Sequence, residues 1–129
     1  MRELVLQAEQ AMKNAYAPYS GFRVGAALLT QSGKIYTGCN VENGAFSPTI
    51  CAERTAVAKA VSEGERKFKA LAVVGGKNGV IAGICPPCGV CRQVLQEFCG
   101  PEFPIYLGKG NGEFETVTLK ELLPLGFSL

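Results

Sequence analysis

A chain of 129 residues suits a single domain, residues 1–129, and can bury roughly two thirds of the surface its unfolded form exposes. Its 47% hydrophobic against 19% charged residues is apolar for so small a domain, which points to surface buried between subunits. A formal net charge of +2 with interspersed signs offers no basic stripe for nucleic acid and no polybasic segment for a membrane, so neither is favoured as a partner.

The opening Met1-Arg2-Glu3 leads into an amphipathic stretch without the apolar core of a signal peptide or membrane span, and a cytoplasmic location is expected. From about Arg2 to Tyr16, Leu4, Val5, Ala8, Ala11, Met12 and Ala15 recur at helical spacing, and Pro18 ends the run. Phe22 to Leu29 and Lys34 to Cys39 read as strands of an antiparallel hairpin turning at Gln31-Ser32-Gly33. A loop over Asn40 to Ile50 follows, then a helix from Cys51 to about Glu63 with Gly64 as its stop. Leu71 to Val74 is a buried strand; Pro86-Pro87 sets up a helix near Cys88 to Phe98, and Pro104 to Leu107 is another strand. Strand, helix, strand in that order implies a parallel crossover. Glu115 to Val117 reads as an edge strand and Thr118 to Leu123 as a short helix stopped by Pro124. The expected class is α/β: one layered domain with a mixed sheet and helices on both faces.

Chemistry concentrates in Cys51-Ala52-Glu53 and Pro87-Cys88-Gly89-Val90-Cys91, in a chain with no histidine. A catalytic zinc site takes three protein ligands and keeps one position open, and three cysteines are the way to build it without imidazole. Glu53 as a fourth ligand would instead close a structural site. Cys-x-Glu followed by Pro-Cys-x-x-Cys is, however, the pattern of zinc deaminases, whose Glu is an acid/base and not a ligand. Glu53 is therefore read as catalytic, with Cys51, Cys88 and Cys91 as ligands.

Two rivals use the same cysteines. An even count of six permits a disulfide scaffold, against which stand the missing secretion signal and ample apolar residues. Cys85-Pro86-Pro87-Cys88 resembles a thiol oxidoreductase motif, but leaves Cys51-x-Glu53 without a purpose. Cys39, Cys85 and Cys99 read as small buried hydrophobes.

Both ligand groups fall at helix starts, where unpaired N–H groups and the macrodipole favour thiolates. Cys88 and Cys91, at i and i+3, share a helical face. Cys51 and Glu53, at i and i+2, would face apart in a regular helix, so Cys51 must lie at or before the first turn. Three thiolates leave divalent zinc with a net charge of about −1, so its water is acidified less than imidazole ligands would allow. Helix N-termini and Arg54 are candidates to offset that excess; Arg54 reads equally well as an exposed helix residue.

These residues resemble the small zinc-dependent cytidine deaminases of pyrimidine salvage. The resemblance runs in order through Tyr19-Ser20-Gly21-Phe22-Arg23-Val24-Gly25-Ala26-Ala27, Gly38-Cys39-Asn40-Val41-Glu42-Asn43, Cys51-Ala52-Glu53-Arg54-Thr55-Ala56, Pro87-Cys88-Gly89-Val90-Cys91-Arg92-Gln93 and Leu122-Leu123-Pro124-Leu125-Gly126-Phe127. It implies a three-layer α/β/α fold on a mixed, mostly five-stranded sheet, and one Zn2+ per subunit. The implied reaction is hydrolysis of cytidine or deoxycytidine to uridine or deoxyuridine and ammonia. In it Glu53 would take a proton from zinc-bound water and return protons to N3 and the departing amine.

Asn40 and Glu42 alternate about Val41 and so point the same way on an extended segment, which suits a ribose. The resemblance makes them the sugar clamp, with Glu42 on the 3′-hydroxyl; a solvated turn is the alternative. A carboxylate there would repel a continuing phosphodiester, favouring nucleosides over polynucleotides. Phe22, Phe46 and Phe127 are candidate apolar walls for the pyrimidine, although aromatics are often plain core. Many relatives carry Tyr at the position of Phe46. The Ala52 N–H is a candidate anchor for the pyrimidine carbonyl. Relatives of this length imply a homotetramer with shared active sites. A deaminase of modified nucleosides, a polynucleotide editor and a non-enzymatic zinc or thiol protein are the other classes; Asn40-x-Glu42, the loop Asn43-Gly44-Ala45-Phe46 and the absent basic groove weigh against the first two.

Overall fold

Apolar residues at helical spacing make α1, Arg2–Met12, and bury Leu4, Val5, Ala8, Ala11 and Met12 on one side in the computed structural model, which describes residues 1–129. The helix stops short of the expected Tyr16 because the backbone there has a competing partner. The Tyr16 N–H donates to the Asn40 carbonyl and the Glu42 N–H to the Tyr16 carbonyl, both at 2.9 Å, so the segment is extended against Val41.

β1 (Phe22–Thr30) and β2 (Ile35–Cys39) form the expected antiparallel hairpin, with Ala27 opposite Thr37. α2 spans Ala52–Ser62 and α3 Gly89–Phe98; in each case the cysteine expected as the first helical residue is the N-cap instead. β3 (Phe68–Lys77) is much longer than the apolar run Leu71–Val74, because Phe68 at one end and Gly75 and Gly76 at the other continue the pairing with β1. β4 (Pro104–Gly110), β5 (Glu113–Thr118) and α4 (Leu119–Leu122) complete the chain.

The five strands lie in the order β2-β1-β3-β4-β5. β3 and β4 are parallel, joined through α3, and the other neighbours are antiparallel. Side-chain alternation divides the core between the faces. Ala26, Leu28, Leu71, Val73 and Ile105 pack beneath α2, α3 and α4, with Ala56, Leu95 and Leu119 from those helices. Ala27, Ala70, Ala72 and Val74 pack beneath α1. The result is the three-layer α/β/α arrangement.

Two close approaches fix what lies above the first face. A Cβ on Gly38 in β2 would come within 2.4 Å of the Ala52 carbonyl and 2.6 Å of the Ala56 nitrogen, so α2 rests directly on the strand. Side chains reinforce this seat: Thr55 Oγ1 donates to the Cys39 carbonyl at 3.1 Å and Lys59 Nζ to the Thr37 carbonyl. At Gly76 a Cβ would meet the Val80 carbonyl, and at Gly75 it would meet Cys85 Sγ at 2.8 Å. These glycines let the return loop lie flat on β3 and bring Cys85 and Pro86 beside α2.

Candidate metal centre and substrate cavity

Cys51 has extended backbone angles, φ −77° and ψ 156°, as the N-cap of α2, and Cys88 likewise, φ −69° and ψ 169°, as the N-cap of α3. The geometric demand on Cys51 and Glu53 is met in this way. Cys88 and Cys91 converge not as two helical positions on one face but as an N-cap and the third residue after it.

The sulfurs of Cys51, Cys88 and Cys91 all lie within 4.8 Å of one another, and the Cys51–Cys88 separation is 3.6 Å. A tetrahedron with zinc–sulfur bonds of about 2.3 Å has edges of about 3.8 Å, so the donor set fits zinc. Glu53 stands outside this group. Neither helix is capped by a side chain, which leaves both positive N-termini at the sulfurs. Cys91 is buried, Cys51 half-buried and Cys88 exposed, and all six cysteines are free thiols. Cys88 thus meets Cys51 and Cys91, while Cys85 stands apart from the cluster.

Arg54 Nη2 donates to Cys51 Sγ at 3.4 Å, and its buried Nε has no hydrogen-bond partner. A partly buried guanidinium beside sulfurs favours thiolates over thiols. A hydrogen bond from Cys91, aided by Arg54 and opposed by burial, draws Cys51 down to about 5. Cys91 is pushed up by that same bond and by burial. To hold a divalent metal, Cys51, Cys88 and Cys91 would all have to be thiolates.

Glu53 is only 4% exposed, and burial raises its carboxyl to about 7, with the Cys51 charge adding to the shift. It lines a cavity of about 160 Å³ together with Asn40, Cys51, Ala52 and Cys88. Val24, Thr49, Ile50, Cys85 and Pro86 complete the walls. Sequence reasoning missed these five as wall residues; the signal for Cys85 and Pro86 was Gly75-Gly76, a pair without side chains inside a strand, which marks close backbone approach. Burial lifts the Cys85 thiol to about 11 and the Cys99 thiol to about 12, so both are neutral fillers. Cys39 ends β2 and is half-buried.

Asn40 is 8% exposed and ties down the start of β1: its Oδ1 accepts from the Val24 N–H and its Nδ2 donates to the Phe22 carbonyl, each at 2.8 Å. One donor hydrogen and one acceptor lone pair remain uncommitted. Glu42 accepts from the N–H groups of Tyr19 at 3.0 Å and Ser20 at 3.1 Å, and from the Ser20 hydroxyl, which together hold its carboxyl below the usual range. Of about four lone-pair sites on a carboxylate, one is left for a ligand.

The aromatic candidates are not gathered at the cavity within one chain. Phe22 lines a neighbouring cleft with Val80 and Ile84. Phe46, 72% exposed with a left-handed φ of 62°, stands edge-on to Tyr19, and Phe127 is 65% exposed in the C-terminal tail. No helix is long and apolar enough to cross a membrane.

Three converging thiols with a buried carboxyl outside their cluster, at one cavity, are the arrangement of a hydrolytic metalloenzyme. Residues 1–107 match the family model of the cytidine and deoxycytidylate deaminase zinc-binding region. A cytidine deaminase of Sporosarcina psychrophila is 52% identical over 99% of this chain and 91% of its own length, and one of Halalkalibacterium halodurans is 46% identical over 97% and 92%. The crystal structure of cytidine deaminase from Burkholderia pseudomallei superposes with a TM-score of 0.87 at 43% identity, covering 97% of both chains. This chain therefore belongs to the cytidine and deoxycytidylate deaminase family, and carries its zinc-binding region.

Proposed function

We propose that this protein deaminates cytidine and deoxycytidine hydrolytically, giving uridine and deoxyuridine with release of ammonia. The observation that carries the reading is Glu53, a buried carboxyl raised to about 7 and placed in one cavity with the thiol cluster. Cys51, Cys88 and Cys91 would hold a zinc ion, which would supply the Lewis acidity that water needs to act as a nucleophile near neutral pH. Glu53, able to hold or release a proton in that range, takes one from the attacking water and delivers protons to N3 of the base and to the leaving amine. The Ala52 N–H anchors the pyrimidine carbonyl, Asn40 and Glu42 take the sugar hydroxyls, and Arg54 tempers the charge on the sulfurs.

A cavity of about 160 Å³ is smaller than the about 300–1,000 Å³ of complete ligand pockets, so one chain encloses the base and not the whole nucleoside. Exposed Phe46 and Phe127, and Phe22 at the adjoining cleft, favour a homotetramer in which neighbouring subunits finish the walls. A cytoplasmic role in pyrimidine salvage, on free nucleosides rather than nucleic acid or membranes, accords with the weak net charge of +2.

Ammonia release from cytidine, deoxycytidine and cytosine tests the reading, with turnover expected on the two nucleosides. Glu53→Gln keeps its zinc and loses at least about 10²–10⁴-fold in turnover. Substantial residual activity in that variant refutes the proton-shuttle role.

A further inference from the structure

Of the three sulfurs, Cys88 has the least to hold it. Cys91 is packed in the core and Cys51 receives Arg54, but Cys88 is exposed and stands outside the regular part of α3. Its orientation depends on the peptide plane that precedes it, which it shares with the fully buried Pro87. That plane is gripped from below. Arg92 Nε donates to the Pro87 carbonyl at 2.7 Å, while the Arg92 backbone N–H donates to the Cys88 carbonyl at 3.0 Å. The peptide groups on both sides of the Cys88 α-carbon are thus bonded to a single residue.

The same guanidinium reaches the other way. Arg92 Nη1 donates to the carbonyl of Leu122, the last residue of α4, at 2.6 Å. Arg92 is in neither of the chain's ion pairs. Its charge is satisfied by carbonyls, and hydrogen bonds from a charged donor are about twice as strong as neutral ones. A planar fork bridging two carbonyls at fixed angles is a task for Arg, not Lys. α4 is itself fixed by a capping box in which Glu121 accepts from the Thr118 N–H at 2.9 Å and from its hydroxyl at 3.0 Å.

We propose that Arg92 is a positioning residue for the metal centre: it sets Cys88 through the Pro87 carbonyl and takes its own bearing from α4, so that the C-terminal helix braces the metal loop. The proposal rests on Cys88 being a zinc ligand.

The test uses full-length, zinc-loaded protein in five forms: native, Arg92→Met, Arg92→Lys, Thr118→Ala with Glu121→Ala, and that pair combined with Arg92→Met. Zinc transfer to an excess of chromogenic chelator is timed at a temperature where circular dichroism shows each form folded. Cobalt-substituted samples report thiolate-to-metal absorption. Arg92→Met should release zinc about 10–100-fold faster than native and alter the cobalt band, with Arg92→Lys in between. Removing the capping box should speed release in the native background and add nothing to Arg92→Met, since both act through one path. Native release and an unchanged cobalt band in Arg92→Met, even with a lowered melting temperature, would make Arg92 merely structural and overturn the proposal; if that variant does not fold, a native-like Arg92→Lys does the same. Effects of the two changes that multiply would overturn the link to α4. Native protein without a thiolate–cobalt band would remove the ligand assignment itself, a result separable from the others because it appears before any mutation.

Discussion

Gly38→Ala adds a single methyl group at a residue that does not line the cavity, yet the structure makes it a test of how the site is positioned. The new Cβ would stand 2.4 Å from the Ala52 carbonyl oxygen and 2.6 Å from the Ala56 nitrogen, about 1 Å inside ordinary van der Waals separation. Both atoms are backbone, so neither can swing aside; α2 must lift from β2 by roughly that distance. The lifted end carries Cys51 and Glu53, whereas Cys88 and Cys91 belong to α3 and stay behind. Metal–ligand distances tolerate only about 0.2 Å, and a misplacement of about 1 Å costs about 10²-fold in rate. Overpacking adds about 1–3 kcal/mol of destabilisation. Expected for Gly38→Ala are a kcat/KM for cytidine lower by about 10²-fold, reduced zinc content and a melting temperature lower by several degrees, measured where circular dichroism shows the variant folded. Gly100→Ala is the control, because a Cβ there meets nothing within 4 Å. Native rate and native zinc content in Gly38→Ala would refute the account of α2 as a helix whose height on the sheet sets the metal geometry.

Arg54→Ala removes the donor to Cys51 and should lower zinc affinity or activity by about 10–100-fold; unchanged zinc content together with an unchanged rate would count against it. Glu42→Ala should raise KM for cytidine by about 10–100-fold with little change in kcat, and native protein should bind 3′-deoxycytidine comparably weakly; an unaltered KM removes Glu42 from the sugar site. Leu28→Ala, in the core beneath α2 and fully buried, should cost about 2–5 kcal/mol in denaturant unfolding while the folded fraction keeps its zinc, as measured by metal analysis.

The metal centre was legible in the sequence because its constraint is local and chemical: soft ligands, no histidine, and spacings that work only at helix starts. Strands with an apolar run or a turn beside them were also legible. Boundaries were lost where tertiary partners overrode local pattern. Tyr16 carries helical spacing but pairs with Val41, and β3 runs on through Gly75 and Gly76, which have poor strand propensity and are kept in the strand by pairing with Val24 and Arg23. Cavity walls from Thr49 and Ile50 could not be read, since no periodicity records which loop folds over a helix end, and Cys85 and Pro86 left only the indirect mark of Gly75-Gly76. Asn40 and Glu42 announced polar groups at the end of β2, but not that half of the hydrogen-bonding capacity of Asn40 and most of that of Glu42 hold the chain at Tyr19, Ser20, Phe22 and Val24.

The seat of α2 has a bearing on solubility as well as on chemistry. β2 is an outer strand of the sheet, and an outer strand is a template for pairing with another molecule. Here the carbonyls of Thr37 and Cys39 are occupied by Lys59 and Thr55, side chains of the helix that begins at Cys51. The opposite outer strand, β5, relies on charge, with Glu113 and Glu115 exposed along it. One flank of the sheet is thus guarded by acidic residues and the other by the helix that carries Glu53, so the element that sets a buried carboxyl at the cavity also keeps the fold from stacking onto its own copies.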